Sequence, residues 1–337
     1  MIVNVVSQIP STIWDREVPP DTRYSFIHSE EPVEADVHVI YGLRRSLKIP
    51  NSPPQMVFIA SEPPEIRQYN RDVLGLYGTV AGPRFPYLLD LPSFSALEAV
   101  APWWVGTAAG GAVNHYETAA STVTISRPML EEGFSPDAER ISTVVSNKAR
   151  TPLQQQRLRL VDYLLRHLPE FEAFGLEHTR VADKAEALSK FRYHLAVENS
   201  SHDAYWTEKL ADPVLMDNYV FYFGDPAVSV RFNPASIRTI NPWDPEATYG
   251  LLSHALEVAA WKSSSNARRL NRRKLLNQLS FHRAIEPLLD SLPVLGRRTA
   301  MTRLPPQNPK SRVKSILDPF YRATRRLLYP KAPRSSA

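Results

Sequence analysis

The stretch 193–209 brings carboxylate, amide, hydroxyl and amine side chains close together in the chain. An apolar, strand-like run at 193–197 leads into Glu198-Asn199-Ser200, and Thr207-Glu208-Lys209 follows a short polar segment. Loop-forming residues in between predict a turn, and Thr207 predicts the N-cap of a helix. Because unpaired N–H groups and the helix dipole attract anions, this strand, turn and helix predict a phosphate site. The alternative is a well-capped turn whose charges are only solvated.

Glu62 follows another strand-like run, Met56 to Ala60, and stands directly before Pro63 and Pro64. Open α/β sheets bind ligands at the carboxyl ends of their parallel strands, so this carboxylate is well placed to meet a ligand. The alternative is that Glu62 caps a helix that follows it. Glu65 is the competing carboxylate, and we expect it to face solvent in the first turn of that helix.

The order of residues in the first stretch resembles a family signature. The run Glu198-Asn199-Ser200, followed after four residues by Tyr205-Trp-Thr-Glu-Lys209, resembles that of glycosyltransferase family 10, the α1,3/4-fucosyltransferases. The resemblance extends from about residue 141 to about residue 255 and includes the segments 219–226 and 232–237. The chain departs from many members at Asp212-Pro213 and at 217–220.

The resemblance implies a GT-B-like architecture, in which two Rossmann-like domains face each other across a cleft. It implies that Glu62 is the catalytic base and that the second domain binds GDP-fucose. The implied donor-binding residues are Arg157, Glu198, Asn199, Ser200, Tyr205, Thr207, Glu208 and Lys209. In this reading Glu208 bonds to ribose or sugar hydroxyls, and Arg157 and Lys209 meet the diphosphate.

The phosphate-binding arginine has two candidates. The strand-like run 141–147 is followed by a polar turn and a predicted helix, Leu153 to Leu168. Matching the register of this helix to the family places the arginine at Arg157. The loop before the helix is long, so Arg150 remains an alternative. Arg159 points elsewhere on the helix, since residues two apart do not share a face.

Several motifs of other nucleotide and metal sites do not occur in the sequence. It has no Asp-x-Asp, no glycine-rich phosphate loop and no cysteine. We therefore expect no divalent metal or other cofactor to be required, with the leaving diphosphate stabilised by side chains and a helix terminus. His194 and His202 lack the spacing of metal ligands and are interpreted as structural.

Trp103 and Trp104 form an aromatic pair in a loop that begins with a proline. Adjacent residues of an extended chain face opposite ways, so we expect one ring in the core and the other on the acceptor side of a cleft, where it can stack on a sugar. The alternative is that both rings only pack in the core.

Length and patterning predict an α/β fold of two domains and a tail. Strand-like runs at 2–6, 37–41, 56–60 and 78–81 alternate with polar and proline-rich stretches, and 337 residues exceed the usual single core. We predict an acceptor-side Rossmann-like domain at 1–140, a GDP-sugar-binding domain at 141–300 and a basic, proline-containing amphipathic tail at 301–337.

Positive charge is concentrated at the C-terminal end of the chain. Residues 262–337 contain 18 Lys and Arg against 3 Asp and Glu, whereas residues 1–261 contain 22 against 32. Basic residues are mixed with apolar and aromatic residues in 311–329, a composition typical of an interfacial helix on anionic lipid. With no apolar run long enough to span a bilayer, we predict a cytoplasmic protein peripherally bound to the membrane. No nucleic-acid module is present, so we expect no nucleic-acid partner.

The predicted function is inverting transfer of L-fucose from GDP-β-L-fucose to a hydroxyl of an oligosaccharide or glycolipid acceptor, in the synthesis of a surface glycan or lipopolysaccharide. One alternative is the same fold acting on another GDP-deoxyhexose. The other is a catalytically silent protein that binds membrane surfaces through its tail.

Overall fold

A computed structural model describes residues 1–42, 46–49, 55–98, 100–109, 119–175, 177–293 and 302–305. Within these residues, two parallel sheets with flanking helices form two α/β units. The central strands of both sheets are buried on their two faces, which is why they are rich in Val, Ile, Phe and Tyr. The GT-B-like prediction of two Rossmann-like units is confirmed by this arrangement.

The first sheet lies in the N-terminal part of the chain. The strands there are β1 (Ile2–Val6), β2 (Ser25–Ser29), β3 (Val37–Tyr41), β4 (Leu47–Ile49), β5 (Met56–Ile59), β6 (Thr79–Gly82), β7 (Phe94–Ala96), β8 (Thr107–Ala109) and β9 (Ala119–Val123), and the helices are α1 (Ser11–Asp15), α2 (Arg71–Leu74) and α3 (Arg127–Glu132). Six of these strands form the sheet, in the order β2-β1-β3-β5-β6-β7. All of the pairings are parallel, so their carboxyl ends share one edge.

The second sheet has the order β11-β10-β12-β13-β14 and is also parallel. Its strands are β10 (Ala138–Val144), β11 (Phe171–Phe174), β12 (Phe191–Val197), β13 (Tyr219–Phe223) and β14 (Ile237–Thr239), and the helices of this half are α4 (Pro152–His167), α5 (Glu208–Leu215), α6 (Val228–Arg231), α7 (Pro245–Glu257), α8 (Ala260–Ser263), α9 (Ser265–Asn277) and α10 (Phe281–Ser291). Helix α4 begins with a capping box between Thr151 and Gln154.

The chain returns to the first half after α9. Phe281, Ile285 and Leu289 of α10 pack in one cluster with Val3 and Val5 of β1. A final strand, β15 (Thr302–Leu304), pairs antiparallel with β4, and Leu304 is buried. The structure thus differs from the predicted limits 141–300 and 301–337, because α10 and the first tail residues belong to the packing of the N-terminal half.

The predicted strands agree closely with the observed ones near the site. The runs at 2–6 and 37–41 match β1 and β3. The strand predicted at 141–147 begins earlier, because Ala138 already pairs with Phe191 of β12. The predicted amphipathic segment at 311–329 lies outside the described residues.

Candidate active site

The carboxyl ends of β5 and β12 meet where the two halves face each other. Glu62 lies three residues after β5, and Glu208 and Lys209 begin α5, which follows β12. Glu62 interacts electrostatically with Lys209 and with Glu208. The structure therefore brings the predicted base and the predicted donor helix together at the edge where open α/β sheets bind ligands.

Glu198 holds the N-terminus of α5 in place. Its carboxylate is fully buried and accepts hydrogen bonds from the backbone N–H and the Oγ1 of Thr207, at 2.8 and 3.0 Å to Oε1. Lys209 Nζ lies 3.6 Å from the other oxygen. A Cβ at Gly224 would lie 2.5 Å from Cγ of Glu198, so only glycine at that position leaves room for the carboxylate. The buried Glu198 carboxylate thus fixes the helix N-terminus through Thr207.

Some of the backbone N–H groups predicted to bind phosphate at this helix N-terminus already donate hydrogen bonds within the protein. The Thr207 N–H donates to Glu198, and the Lys209 N–H donates to Thr207 Oγ1 at 3.3 Å, as the cap requires. Two of the N–H groups that were expected to be unpaired at this helix start therefore already have partners. The charge of a bound diphosphate must be met mainly by side chains.

Glu208 and Lys209 form a half-buried ion pair at 3.1 Å. Burial would raise the pKa of Glu208, but the charges of Lys209 and Lys184, together with hydrogen bonds from Lys209 and Thr207, lower that pKa to about 2. Burial would also lower the pKa of Lys209, but Glu208 and Glu198 raise it. Both groups therefore stay charged at neutral pH, and Glu208 remains a hydrogen-bond acceptor for hydroxyls.

Arg157 lies on the inner face of α4 and is 5% exposed, whereas Arg150 is exposed. Its guanidinium donates to Asn199 Oδ1 at 3.2 Å and to Ser146 O at 3.4 Å. These bonds connect the ends of β10 and β12 through one arginine. Arg157 thus carries a charge that no carboxylate contacts within the described residues, and Asn199 orients it.

Glu62 is half-buried, and its carboxylate makes no hydrogen bond within the described residues. Its backbone N–H donates to Tyr69 Oη at 3.2 Å, which fixes the strand end. Burial raises the pKa of Glu62, and Lys209 opposes the rise. A carboxylate with free lone pairs and a raised pKa is suited to accept a proton near neutral pH.

Glu65 does not occupy the solvent-facing helical position predicted for it. Pro63 O accepts two N–H bonds in a turn, and the next helix, α2, begins only at Arg71. Glu65 instead accepts from Ser200 Oγ at 2.8 Å and contacts His202 Nε2 at 3.2 Å. The prediction for Glu65 was wrong because the double proline ends in a turn that aims this carboxylate at the other half.

Further polar contacts join the two halves beside this pair. Arg84 Nε lies 3.3 Å from Asp203, and Arg231 Nε donates to Glu98 at 2.7 Å. Tyr205 is 1% exposed and packs within the cluster of the first sheet, against Phe85. Ser200 and Tyr205 were predicted to bind the donor, and the structure places both in the contact between the halves.

The two tryptophans differ in burial, but Trp104 also packs against a core cluster, so its acceptor role stays a prediction. Trp103 is 1% exposed in a core cluster, whereas Trp104 is half-buried. The loop is held through its backbone, since Trp103 N–H donates to Glu17 and Trp104 N–H donates to Asp212 at 3.0 Å. Asp212 belongs to α5, so the helix that begins at the site also positions Trp104.

The chain is similar to several glycosyltransferases of known structure. A crystal structure of an α1,3-fucosyltransferase aligns at 16% identity over 89% of this chain and 92% of that chain, with a TM-score of 0.49. A crystal structure of an α1,3-fucosyltransferase with GDP-fucose aligns at 16% identity over 82% of this chain and 88% of that chain, with a TM-score of 0.45. A glycosyltransferase from Rickettsia africae aligns at 10% identity over 86% and 96%, with a TM-score of 0.47. The sequence matches no protein-family model and no curated protein.

Lys148 is a site residue to which the sequence analysis assigned no role. It is exposed in the loop after β10 and interacts electrostatically with Glu62, Lys209, Arg150 and Arg157. The signal that could have found it is the one that found Glu62, namely a charged side chain just past the carboxyl end of a parallel strand.

Within the described residues, neither His194 nor His202 belongs to a group that could hold a metal ion. His194 is buried against Ser142 Oγ at 2.8 Å, and burial lowers its pKa to about 3. Within the described ranges, no group of three or more His, Asp or Glu is arranged to hold a metal ion. In the same ranges, no helix has the length and apolarity needed to cross a bilayer.

Proposed function

We propose that this protein is an inverting glycosyltransferase that moves L-fucose from GDP-β-L-fucose to a hydroxyl of a glycan acceptor. The observation that carries the proposal is the convergence of Glu62 with Glu208 and Lys209 across the two sheets. These are the residues to which the family-10 resemblance assigns the base and the donor site. They come from opposite halves of the molecule, as a cleft between donor and acceptor requires.

The geometry supports a single displacement. The Glu62 carboxylate takes the proton of the acceptor hydroxyl, and that oxygen attacks the anomeric carbon from the face opposite the diphosphate. The bond from this carbon to the β-phosphate oxygen breaks, and its electron pair leaves with GDP. A β-linked donor thereby gives an α-linked product. A general base contributes about 10²–10⁴ in rate.

The donor side would hold GDP through fixed charges. Arg157 is already oriented by Asn199, so little side-chain freedom is lost when it meets a phosphate. Glu208 stays ionised and can accept hydrogen bonds from ribose or sugar hydroxyls. Charge stabilisation of this kind in a water-poor site contributes as much as the base or more.

The acceptor would bind on the side of the cleft that carries Glu62 and Trp104. Trp104 is half-buried and can present one face to a sugar ring. We further propose that the acceptor is a surface glycan or lipopolysaccharide precursor on a lipid carrier, because the basic residues of 311–329 suit an anionic membrane surface.

Two other functions remain distinguishable from this one. Transfer of another GDP-deoxyhexose needs only small changes around the sugar. A silent membrane-binding protein would not need the unpaired Glu62 carboxylate opposite Lys209, so the site favours an enzyme.

The test is incubation of the purified protein with labelled GDP-fucose and with GDP-mannose as the matched control. Slow release of GDP from GDP-fucose alone, accelerated by a glycan from an acceptor screen, is the expected result. Release from neither donor, with or without acceptors, would contradict enzymatic function, and a preference for the other donor would reassign the sugar.

A further inference from the structure

Charged side chains of the C-terminal half hold the loop of Trp104 through its backbone. The Trp104 N–H donates to Asp212 Oδ1 at 3.0 Å, and the Gly106 N–H donates to Asp183 Oδ1 at 3.0 Å. Asp212 is fully buried in α5, and Asp183 is the N-cap of a short 3₁₀ helix, Lys184–Ala187. Two carboxylates that lie apart in the chain therefore fix this loop against the half that carries the predicted donor site.

Lys184, the residue after Asp183, joins this loop to the helix that begins at the site. Its ammonium lies 2.7 Å from Asp212 Oδ2 and donates to the backbone O of Glu208 at 3.3 Å. The side chain of Lys184 is 12% exposed and that of Asp212 is 0% exposed, so little water reaches the pair. Lys184 thus contacts the first turn of α5 directly and, through Asp212, the backbone of Trp104.

The burial of this ion pair argues for a role beyond stability. Taking two charges out of water is costly, and apolar side chains of similar volume often replace a buried ion pair without loss of stability. An apolar pair could not bond both to the Trp104 N–H and to the Glu208 carbonyl, as Asp212 and Lys184 do. The pair thus sets where the loop lies relative to the first turn of α5.

The two groups that the pair connects meet different substrates in the proposed reaction. Glu208 is proposed to accept from hydroxyls of the donor, whereas Trp104 is proposed to stack on a sugar of the acceptor. The attacking hydroxyl must meet the anomeric carbon in a fixed geometry, and a misplacement of about 1 Å can slow a reaction on the order of 10²-fold. The spacing between Glu208 and Trp104 should therefore affect the rate of transfer.

We propose that Lys184 is a positioning residue that sets the spacing between the donor-binding start of α5 and the acceptor-side loop of Trp104. This inference rests on the proposed function, because it takes Glu208 as a ligand of the donor and Trp104 as a contact of the acceptor. In this role Lys184 contacts neither substrate. A lysine suits it because its compact ammonium has three donors, of which one reaches Asp212 and another reaches the Glu208 carbonyl.

The test uses the full chain with Lys184→Met and Asp212→Asn combined. Lys184→Met alone would leave a buried carboxylate without its cation and is expected to be unstable. In the double variant neither charge of the pair remains, and the side-chain oxygen at position 212 can still accept from the Trp104 N–H. With labelled GDP-fucose and the glycan that the acceptor screen identifies, kcat/KM for transfer is expected to fall at least about tenfold. Release of GDP from GDP-fucose without acceptor is expected to stay within about threefold of wild type, because it needs no acceptor in place.

Two further measurements separate positioning from stability. The thermal midpoint of unfolding and the GDP affinity of the double variant are expected to stay near wild type. In a Trp104→Ala background, the same two substitutions are expected to change transfer less than about threefold further, because the loop no longer carries the ring that is positioned. Lys190→Met is the matched control, since it alters an exposed lysine in the same connection between β11 and β12, and it is expected to match wild type in every assay.

The possible outcomes decide between this inference and the proposed function. Wild-type transfer in the double variant would overturn this inference and leave the proposed function standing. A double variant that does not fold, or that loses transfer, acceptor-free release and thermal stability in parallel, would assign the pair to stability alone and would also overturn it. A wild-type protein that neither binds GDP nor turns over GDP-fucose would overturn both.

Discussion

The strand ends of β12 and β5 each carry a glutamate, and the two glutamates have opposite surroundings. Glu198 is fully buried, and both its oxygens bond to Thr207. Glu62 is half-buried, and its carboxylate makes no hydrogen bond within the described residues. Burial raises the pKa of both groups, yet only Glu62 has lone pairs left for a substrate proton.

The two glutamates look alike in sequence, but Glu198 supports the structure of the donor side, whereas Glu62 is available for catalysis. The donor side is fixed by bonds within one half, through Glu198, Thr207 and α5. The base belongs to the other half, and its distance from the donor depends on contacts between the halves, such as that of Glu65 with Ser200. Substitutions on the donor side should therefore weaken GDP binding, whereas substitutions at the base or at the contact between the halves should lower the transfer rate.

Glu62→Gln gives the largest expected effect. The variant keeps the size of the side chain but cannot accept a proton, so transfer should fall at least about a hundredfold. Binding of GDP, measured by calorimetry, should stay near wild type because the donor side is built by the other half. Full activity in Glu62→Gln, with a comparable loss in Glu65→Gln, would mean that the base is Glu65.

Arg157→Ala should weaken GDP binding more than tenfold, since one charge-assisted contact to a buried phosphate is worth about 1.5–3 kcal/mol. Arg150→Ala is the matched control, because that side chain is exposed and lies just before the N-cap of the helix that carries Arg157. Calorimetry on both variants tests the choice of arginine. Unchanged affinity in Arg157→Ala and a loss in Arg150→Ala would reverse it.

Ser200→Ala should act on the contact between the halves rather than on the donor. Removing its bond to Glu65 costs about 1 kcal/mol, so kcat/KM should fall about fivefold while GDP affinity stays constant. Ser201→Ala is the control, since no hydrogen bond of that side chain occurs in the described structure. An equal loss of GDP affinity in Ser200→Ala would return Ser200 to the donor site, where the sequence placed it.

The elements of the site were predictable because their signals are local. The cap at Thr207, the strand Phe191–Val197 and the strand end before Glu62 each follow from a few neighbouring residues. The partners of Ser200, Tyr205 and Glu65 were not predictable, because they depend on which surfaces of two domains meet. A single sequence contains no spacing rule for contacts such as Ser200 to Glu65, which are 135 residues apart.

The same reasoning explains the errors at the C-terminal end. Charge composition marks residues 262–337 as one basic region, but α10 and β15 are fixed by packing against distant strands. Phe281 and Ile285 carry that packing, and their apolar pattern alone does not say which core they join. Any segment that acts separately from the two sheets must therefore begin after β15.

Removal of the chain after Pro305 should change the chemistry least. This cut keeps β15 on β4 and removes the basic and aromatic segment 311–329, which the structure does not describe. GDP binding and transfer to a soluble acceptor should stay at wild-type levels. Sedimentation with phosphatidylglycerol vesicles should be lost, because each Lys or Arg near an anionic surface contributes around 1 kcal/mol and the segment has five.

Wild-type binding to these vesicles should also weaken at high salt, whereas phosphatidylcholine vesicles should bind neither form. An insoluble or inactive truncated protein would instead show that the segment packs against the two sheets, and the membrane role would be withdrawn.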